Sequence, residues 1–288
     1  MKKENWGKLA FTSVMGLFLS STFVFLAALP IRYTRLHFGR WVFLITTLIG
    51  SCALFAFKQW QWAIVYFCLS LLIGSYRELE EKKLSIFMSA LISIGTTTGL
   101  FFATLFSIAR MQKIQVSQLL NNHLEPMLVQ LRGLPQMREG VDINSIVAYL
   151  PSGMIITLMI VTFISLTFHN DPFTRKKGIE SLKKFTLPDW GIWVFIGSLC
   201  GAFALNAHGT YSFIFMNIFA VTLAAYFFQG FAVFSCLLDR FKIFGFWRLL
   251  AYFLVFFQMF LFVCGLGILD YWFDFRSQLK VKNKRIGI

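Results

Sequence analysis

Eight stretches of apolar sequence, most of them near the length of a membrane crossing, govern what this chain can fold into. They cover residues 9–29, 41–57, 62–76, 84–109, 146–168, 190–205, 211–238 and 247–269. A bilayer crossing takes roughly 20 apolar residues in a helix. Inside lipid every backbone N–H and C=O must be paired internally, which leaves helices or a closed barrel. The segments are solidly apolar and do not alternate with polar residues, which argues against a barrel. The chain reads as all-α: a polytopic transmembrane helical bundle with about eight hydrophobic segments. Residues 1–288 form a single integral membrane domain. Composition agrees, with 57% hydrophobic and 14% charged residues, against about 25% charged in a soluble chain.

The charge balance is basic, 27 Lys and Arg against 13 Asp and Glu. In a soluble protein this would point to nucleic acid. Here the cations fall in the connections, where they set topology and meet lipid headgroups, so the expected partner is the lipid bilayer and not nucleic acid. Eight simple crossings put the basic connections after segments one, three, five and seven. These hold Arg32, Arg35 and Arg40, then Arg77, Lys82 and Lys83, then Arg175 to Lys184, then Arg240, Lys242 and Arg248. Both basic tails belong on that same side, which an even count of simple crossings forbids. Either the first and last segments are broken, near residues 20–21 and 265–267, or both tails lie opposite to their charge. The first solution is preferred. The run at 9–29 lacks a small-residue cleavage site and is expected to stay as an anchor.

The longest connection contains "IQVSQLLNNHLEPMLVQL", which places Val116, Leu120, Leu124, Leu128 and Leu131 along one stripe. This predicts an amphipathic helical connection at about 114–132, ended by Gly133 and Pro135. Its polar face has little positive charge. It therefore suits covering the membrane domain or a partner, or serving as an interfacial connector, better than gripping anionic lipid.

Catalytic patterns are absent. The four histidines lack zinc spacing, and neither a nucleophile elbow nor a phosphate-binding loop occurs. The five cysteines lie in apolar runs without a CxxC and read as packing residues. No enzyme activity, metal or cofactor is expected. Polar residues within the segments are then the informative ones: Thr96, Thr97, Thr98, Asn217, Gln229 and Gln258. Asn217 and Gln229 fall about 120° apart around one helix. Each is a candidate for a ligand contact or for an interhelical hydrogen bond. No ionisable residue falls in the middle of a segment, which argues against an autonomous ion-driven pump.

The last segment ends in "GILDYWFDFRSQLK", with Asp270 and Asp274 one helical turn apart. Two carboxylates at i and i+4 repel, and a helix C-terminus disfavours them. They are expected to meet basic partners on other elements, either Arg32, Arg35 and Arg40 or the 240–248 stretch. The result would be a structural clamp or a docking site.

That ending, with "ALPIRYTRLHFGR", "YLPSGMIITLMI", "LKKFTLPDWGIWVF" and "NIFAVTLAAYFFQGFAVF", resembles the YybS-like family of bacterial integral membrane proteins. The resemblance runs nearly the whole chain in the family's order. It implies recurrent positions at Pro151, Pro188, Trp190, Asn217, Gln229, Gly230, Asp270, Asp274 and Arg276, with no catalytic residues to carry over. It also implies a multi-pass place in the bacterial inner (cytoplasmic) membrane. The family is distantly similar to the S components of energy-coupling-factor transporters, which bind small molecules and borrow ATPase partners. The implied function is a small-molecule-binding or transport module acting with ATPase or other membrane subunits. The alternative is a non-transporting membrane scaffold or assembly factor, which would need no internal pocket.

Overall fold

A computed structural model describes residues 4–132, 143–167, 183, 185–204 and 210–276. The described residues form ten helices and no strands. They are α1 (Glu4–Thr22), α2 (Val24–Ala56), α3 (Trp60–Glu81), α4 (Ile86–Met111) and α5 (Val116–Arg132), followed by α6 (Ile143–Thr167), α7 (Trp190–Ala204), α8 (Thr210–Arg240), α9 (Gly245–Phe257) and α10 (Phe260–Phe273). By length and hydropathy alone five of these helices suit a crossing, and six if the bent pair α9–α10 counts as one. This is fewer than eight simple spans: α7, at 15 residues, is too short by that measure, and the other reasons lie at the two ends of the chain.

The segment at 9–29 is broken at Phe23, two residues beyond the expected turn, where φ is −137° and ψ 77°. α1 ends there and α2 turns back along it, so that Thr34 Oγ1 donates to Thr12 Oγ1 at 3.3 Å. α2 is itself two helical legs, because Gly39 has φ +83° and ψ 178°. Glycine reaches positive φ without the cost a side chain would add. Ile31 and Gly50 would lie about 28 Å apart along one straight helix. Instead both sit beside the same place. A Cβ on Gly16 would lie 3.4 Å from Ile31 and 3.8 Å from the Tyr66 ring, and one on Gly50 would lie 2.9 Å from that ring. α2 therefore reverses at Gly39 and is not a single 33-residue span. The 24–38 leg is about 22 Å long, shorter than the ~30 Å hydrocarbon core. With α1 it enters and leaves on one face.

That placement corrects the reading of Arg32 and Arg35 as members of a connection. Arg32 and Arg35 lie within the helical leg and are 5% and 6% exposed. They are buried because α3 ends in three acids. Arg35 Nη2 lies 2.6 Å from Glu78 Oε1 and 3.6 Å from Glu81 Oε2, and Arg32 Nη2 lies 3.5 Å from Glu80 Oε2. Arg40 reaches Glu78 at 3.5 Å, while Arg77 holds Glu80 at 2.8 Å and Glu81 at 3.2 Å. Arg32 also stands 5.7 Å over the Tyr76 ring. Four guanidinium groups thus share three carboxylates, and buried charge persists where it is paired in this way.

The contacts place the C-terminal end of the described chain on one basic face. The α2 arginines meet the C-terminal end of α3 there. Phe87, at the start of α4, lies 6.4 Å from Phe185 and 6.1 Å from Trp190. Asp239, at the end of α8, holds Lys183 and Arg248. Arg276 bonds the carbonyl of Phe185. α5 lies at the opposite face, where His123 meets Trp60 edge-on at 5.6 Å. It rests against α4 and α6. Among its described side chains Leu119, beside the expected stripe, is buried.

The break in the last segment lies at residues 258–259, where α9 and α10 meet at 94°. It does not lie at 265–267, which are helical. The glycines there serve a different purpose. α10 crosses α8 so closely that a Cβ on Gly230 would stand 1.8 Å from the Val263 carbonyl oxygen, and one on Gly267 2.0 Å from the Tyr226 carbonyl oxygen. Two bare backbones touch, as small residues allow between helices in lipid.

Candidate functional site: a groove between α4, α6, α7 and α8

A groove of about 850 Å³ runs between α4, α6, α7 and α8 and is closed at the basic face by residues 185–188. Along α6 it extends from Val147 to Leu166, about 28 Å of helix. Among the described residues no charged side chain lines it. At its basic end stand Phe87, Phe185 and Trp190, packed ring against ring.

The structure puts Asn217 at the groove wall and gives it an interhelical role. Pro151 sits inside α6, where a proline removes one ladder hydrogen bond and strains the turn. One residue on, the Ser152 N–H donates to Asn217 Oδ1 at 3.0 Å, and Asn217 Nδ2 donates to the Ala148 carbonyl at 2.8 Å and to the Phe213 carbonyl at 2.7 Å. Ser152 N–H and Ala148 C=O would pair with each other in an unbroken helix. The amide is inserted between them and ties α8 to α6. Asn217→Leu is expected to lower stability by about 1–3 kcal/mol, the usual cost of stranding buried polar groups. A fall in the unfolding temperature of the detergent-purified protein would register it. Thr222→Val serves as the comparison, since that hydroxyl bonds the carbonyls of Ile218 and Phe219 in its own helix.

Gln229 is absent from the groove lining and lies behind its basic end. It is 4% exposed. Its Oε1 accepts the Leu187 N–H at 3.1 Å and its Nε2 donates to Asp270 Oδ2 at 3.2 Å. The same Asp270 oxygen accepts from Arg276 Nη2 at 2.5 Å and Nε at 3.0 Å. Arg276 Nη1 in turn donates to the carbonyls of Phe185 at 2.6 Å and Lys183 at 3.4 Å. Gln229, Asp270 and Arg276 therefore form one buried set from α8, α10 and the residues after α10. The set holds the extended 185–188 segment by its backbone, and that segment supplies Phe185, Leu187 and Pro188 to the groove.

Asp270 does not meet the basic residues expected for it. Arg32, Arg35 and Arg40 are engaged by Glu78, Glu80 and Glu81, and Arg248 by Asp239 at 2.7 Å. Each of those cations has an acid nearer than α10. Asp274 is separated from Asp270 in role: it caps α10 in the left-handed conformation, with φ 39°, and its N–H bonds the Asp270 carbonyl at 3.0 Å.

Of the remaining polar candidates, Thr98 has a buried hydroxyl with no hydrogen-bond partner among the described residues, and the others are local. Thr96 and Thr97 donate to the Ser93 carbonyl of their own helix, at 3.0 and 2.8 Å, and Gln258 stands at the α9–α10 bend. Among the described residues no three His, Cys, Asp or Glu side chains gather as a metal would require. Sequence reasoning missed the Arg–Glu network, although three of the chain's 13 acids crowd into "RELEE" directly after segment three. It also missed the groove, whose lining is ordinary apolar sequence. No curated protein and no solved structure matches the chain. A family model does match it, over residues 9–271. The chain belongs to that family, described as "Predicted membrane protein (DUF2232)".

Proposed function

We propose that this multi-pass membrane protein is a small-molecule-binding module whose site is the groove between α4, α6, α7 and α8. The groove itself carries the reading: about 850 Å³, within the range of ligand pockets at roughly 300–1,000 Å³. A scaffold or assembly factor has no need of such a space. The absence of a phosphate-binding loop from the sequence fits a module that draws on partner subunits for energy, as S components do. With the positive-inside rule, the basic face carrying Arg77, Lys82, Lys83, Arg240 and Lys242 is cytoplasmic in a bacterial inner membrane. On that side an ATPase partner would meet the 185–188 end of the groove.

A stability screen tests the reading. The detergent-purified protein would be heated with a panel of vitamins, metal ions, amino acids and lipids. A ligand at about 1,000 times its Kd adds about 4 kcal/mol, which raises the unfolding temperature by several degrees. A panel without any such shift, and no small molecule released on denaturation, would sink the proposal.

A further inference from the structure

We infer that the occupant of this groove is a lipid taken from the surrounding bilayer and held by one hydrocarbon chain; the inference rests on the groove being a binding site. Three observations converge on it. The first is that the serine, threonine and asparagine side chains of the lining have their donors committed, which leaves the Tyr226 hydroxyl and the Trp190 N–H as its remaining side-chain donors. Ser152 donates to the Tyr149 carbonyl at 3.0 Å, Thr162 to the Leu158 carbonyl at 2.8 Å and Thr222 to the Ile218 carbonyl at 2.9 Å. Asn217 is spent on Ser152, Ala148 and Phe213. A metal ion would find no charged ligand among the described lining residues and a vitamin would leave most of its polar groups unmet, whereas methylene groups lose nothing there.

The second is where the groove opens. Leu91, Trp190, Val194, Ile214 and Ile218 line it and are also among the exposed large apolar side chains, at 47%, 54%, 36%, 50% and 39%. On a helix bundle in a bilayer, exposed apolar side chains face lipid. The mouth therefore gives onto hydrocarbon, and α4 and α7 form its two lips. The third is length. The α6 wall from Val147 to Leu166 runs about 28 Å, close to the ~30 Å hydrocarbon thickness. An extended chain can lie along it without placing a headgroup inside. Trp190, 54% exposed at the basic end, stands at the level where an aromatic side chain meets the lipid–water boundary.

The experiment uses the full chain in nanodiscs of phosphatidylglycerol and phosphatidylethanolamine, each offered in turn with a diazirine on the acyl chain. Crosslinks should concentrate on Ile155, Met159, Val194 and Val221 and saturate at one lipid per protein. Native mass spectrometry after detergent washing should retain one lipid on the wild type. Ala225→Trp, which fills the groove, should lower that retention roughly tenfold. Leu48→Trp, on the lipid-facing side of α2 at 57% exposure, should retain it unchanged. The two headgroup arms identify the source lipid. Crosslinks scattered over the exposed helix faces, or retention unaltered in Ala225→Trp, would overturn the inference. A polar molecule recovered from the groove would overturn it and leave the binding reading standing. A wild type that retains nothing and responds to no ligand would remove both.

Discussion

Gly230→Ala and Gly267→Ala are each expected to abolish recovery of folded protein. An added Cβ at Gly230 would stand 1.8 Å from the Val263 carbonyl oxygen, and at Gly267 2.0 Å from that of Tyr226. The obstacle in both cases is backbone, which cannot rotate aside as a side chain can. Overpacking a core with extra methylenes typically costs 1–3 kcal/mol. Here α8 and α10 would have to separate along their whole contact, and the cost should exceed about 4 kcal/mol. Gly95 and Gly197 provide the comparison, because nothing lies within 4 Å of a Cβ built on either. Their alanine variants should match or slightly exceed the wild type. Size-exclusion profiles and unfolding temperatures of the four variants decide the matter. A monodisperse, wild-type-like Gly230→Ala would show that the close crossing does not exist.

The second large effect concerns the carboxylate at the end of α10. Asp270→Asn should cost about 3–5 kcal/mol, the usual penalty for breaking a buried ion pair and stranding its partner. The side chains of Asp270 and Arg276 are only 2% and 10% exposed, so solvent screens the pair little. Replacing both, as Asp270→Leu with Arg276→Met, should recover part of the loss, since apolar side chains often substitute well for a buried pair. Recovery should stay incomplete. The Phe185 carbonyl would still lack its donor, and Gln229 its acceptor. A double-mutant cycle on unfolding temperature reads the coupling directly. Asp270→Asn with wild-type stability would replace the clamp with a docking role for this carboxylate.

Much of the architecture was legible because lipid leaves few choices. Solid apolar runs meant helices, and the charge conflict between tails and connections already favoured breaks in the first and last segments. The kinds of breaks were harder to read. Gly265 and Gly267 look like helix breakers in a sequence, yet Gly267 marks where α8 passes, and the bend falls at Gln258 and Met259, without glycine or proline. Gly39, which does reverse the chain with φ +83°, sat unremarked in a basic stretch that resembles a loop. The candidate residues divide in the same way. Asn217 and Gln229 stood out because amides are costly in lipid, and both proved to be engaged with backbone groups. Their partners could not be read from the chain, because Ser152 and Leu187 lie 65 and 42 residues away and present only N–H groups. The groove left no mark at all, since its lining uses the same side chains as the lipid-facing surface.

The N-terminal hairpin also has a consequence for how the molecule is made. Arg32 and Arg35 meet Glu78, Glu80 and Glu81, which follow them by more than 40 residues. While the chain is being synthesised, the 24–38 leg reaches the insertion machinery before those acids exist. Until then each arginine lacks its acid partner, and burying an unpaired charge is costly. Burial of Arg32 and Arg35 is therefore coupled to the arrival of α3, whose acids complete one electrically matched unit.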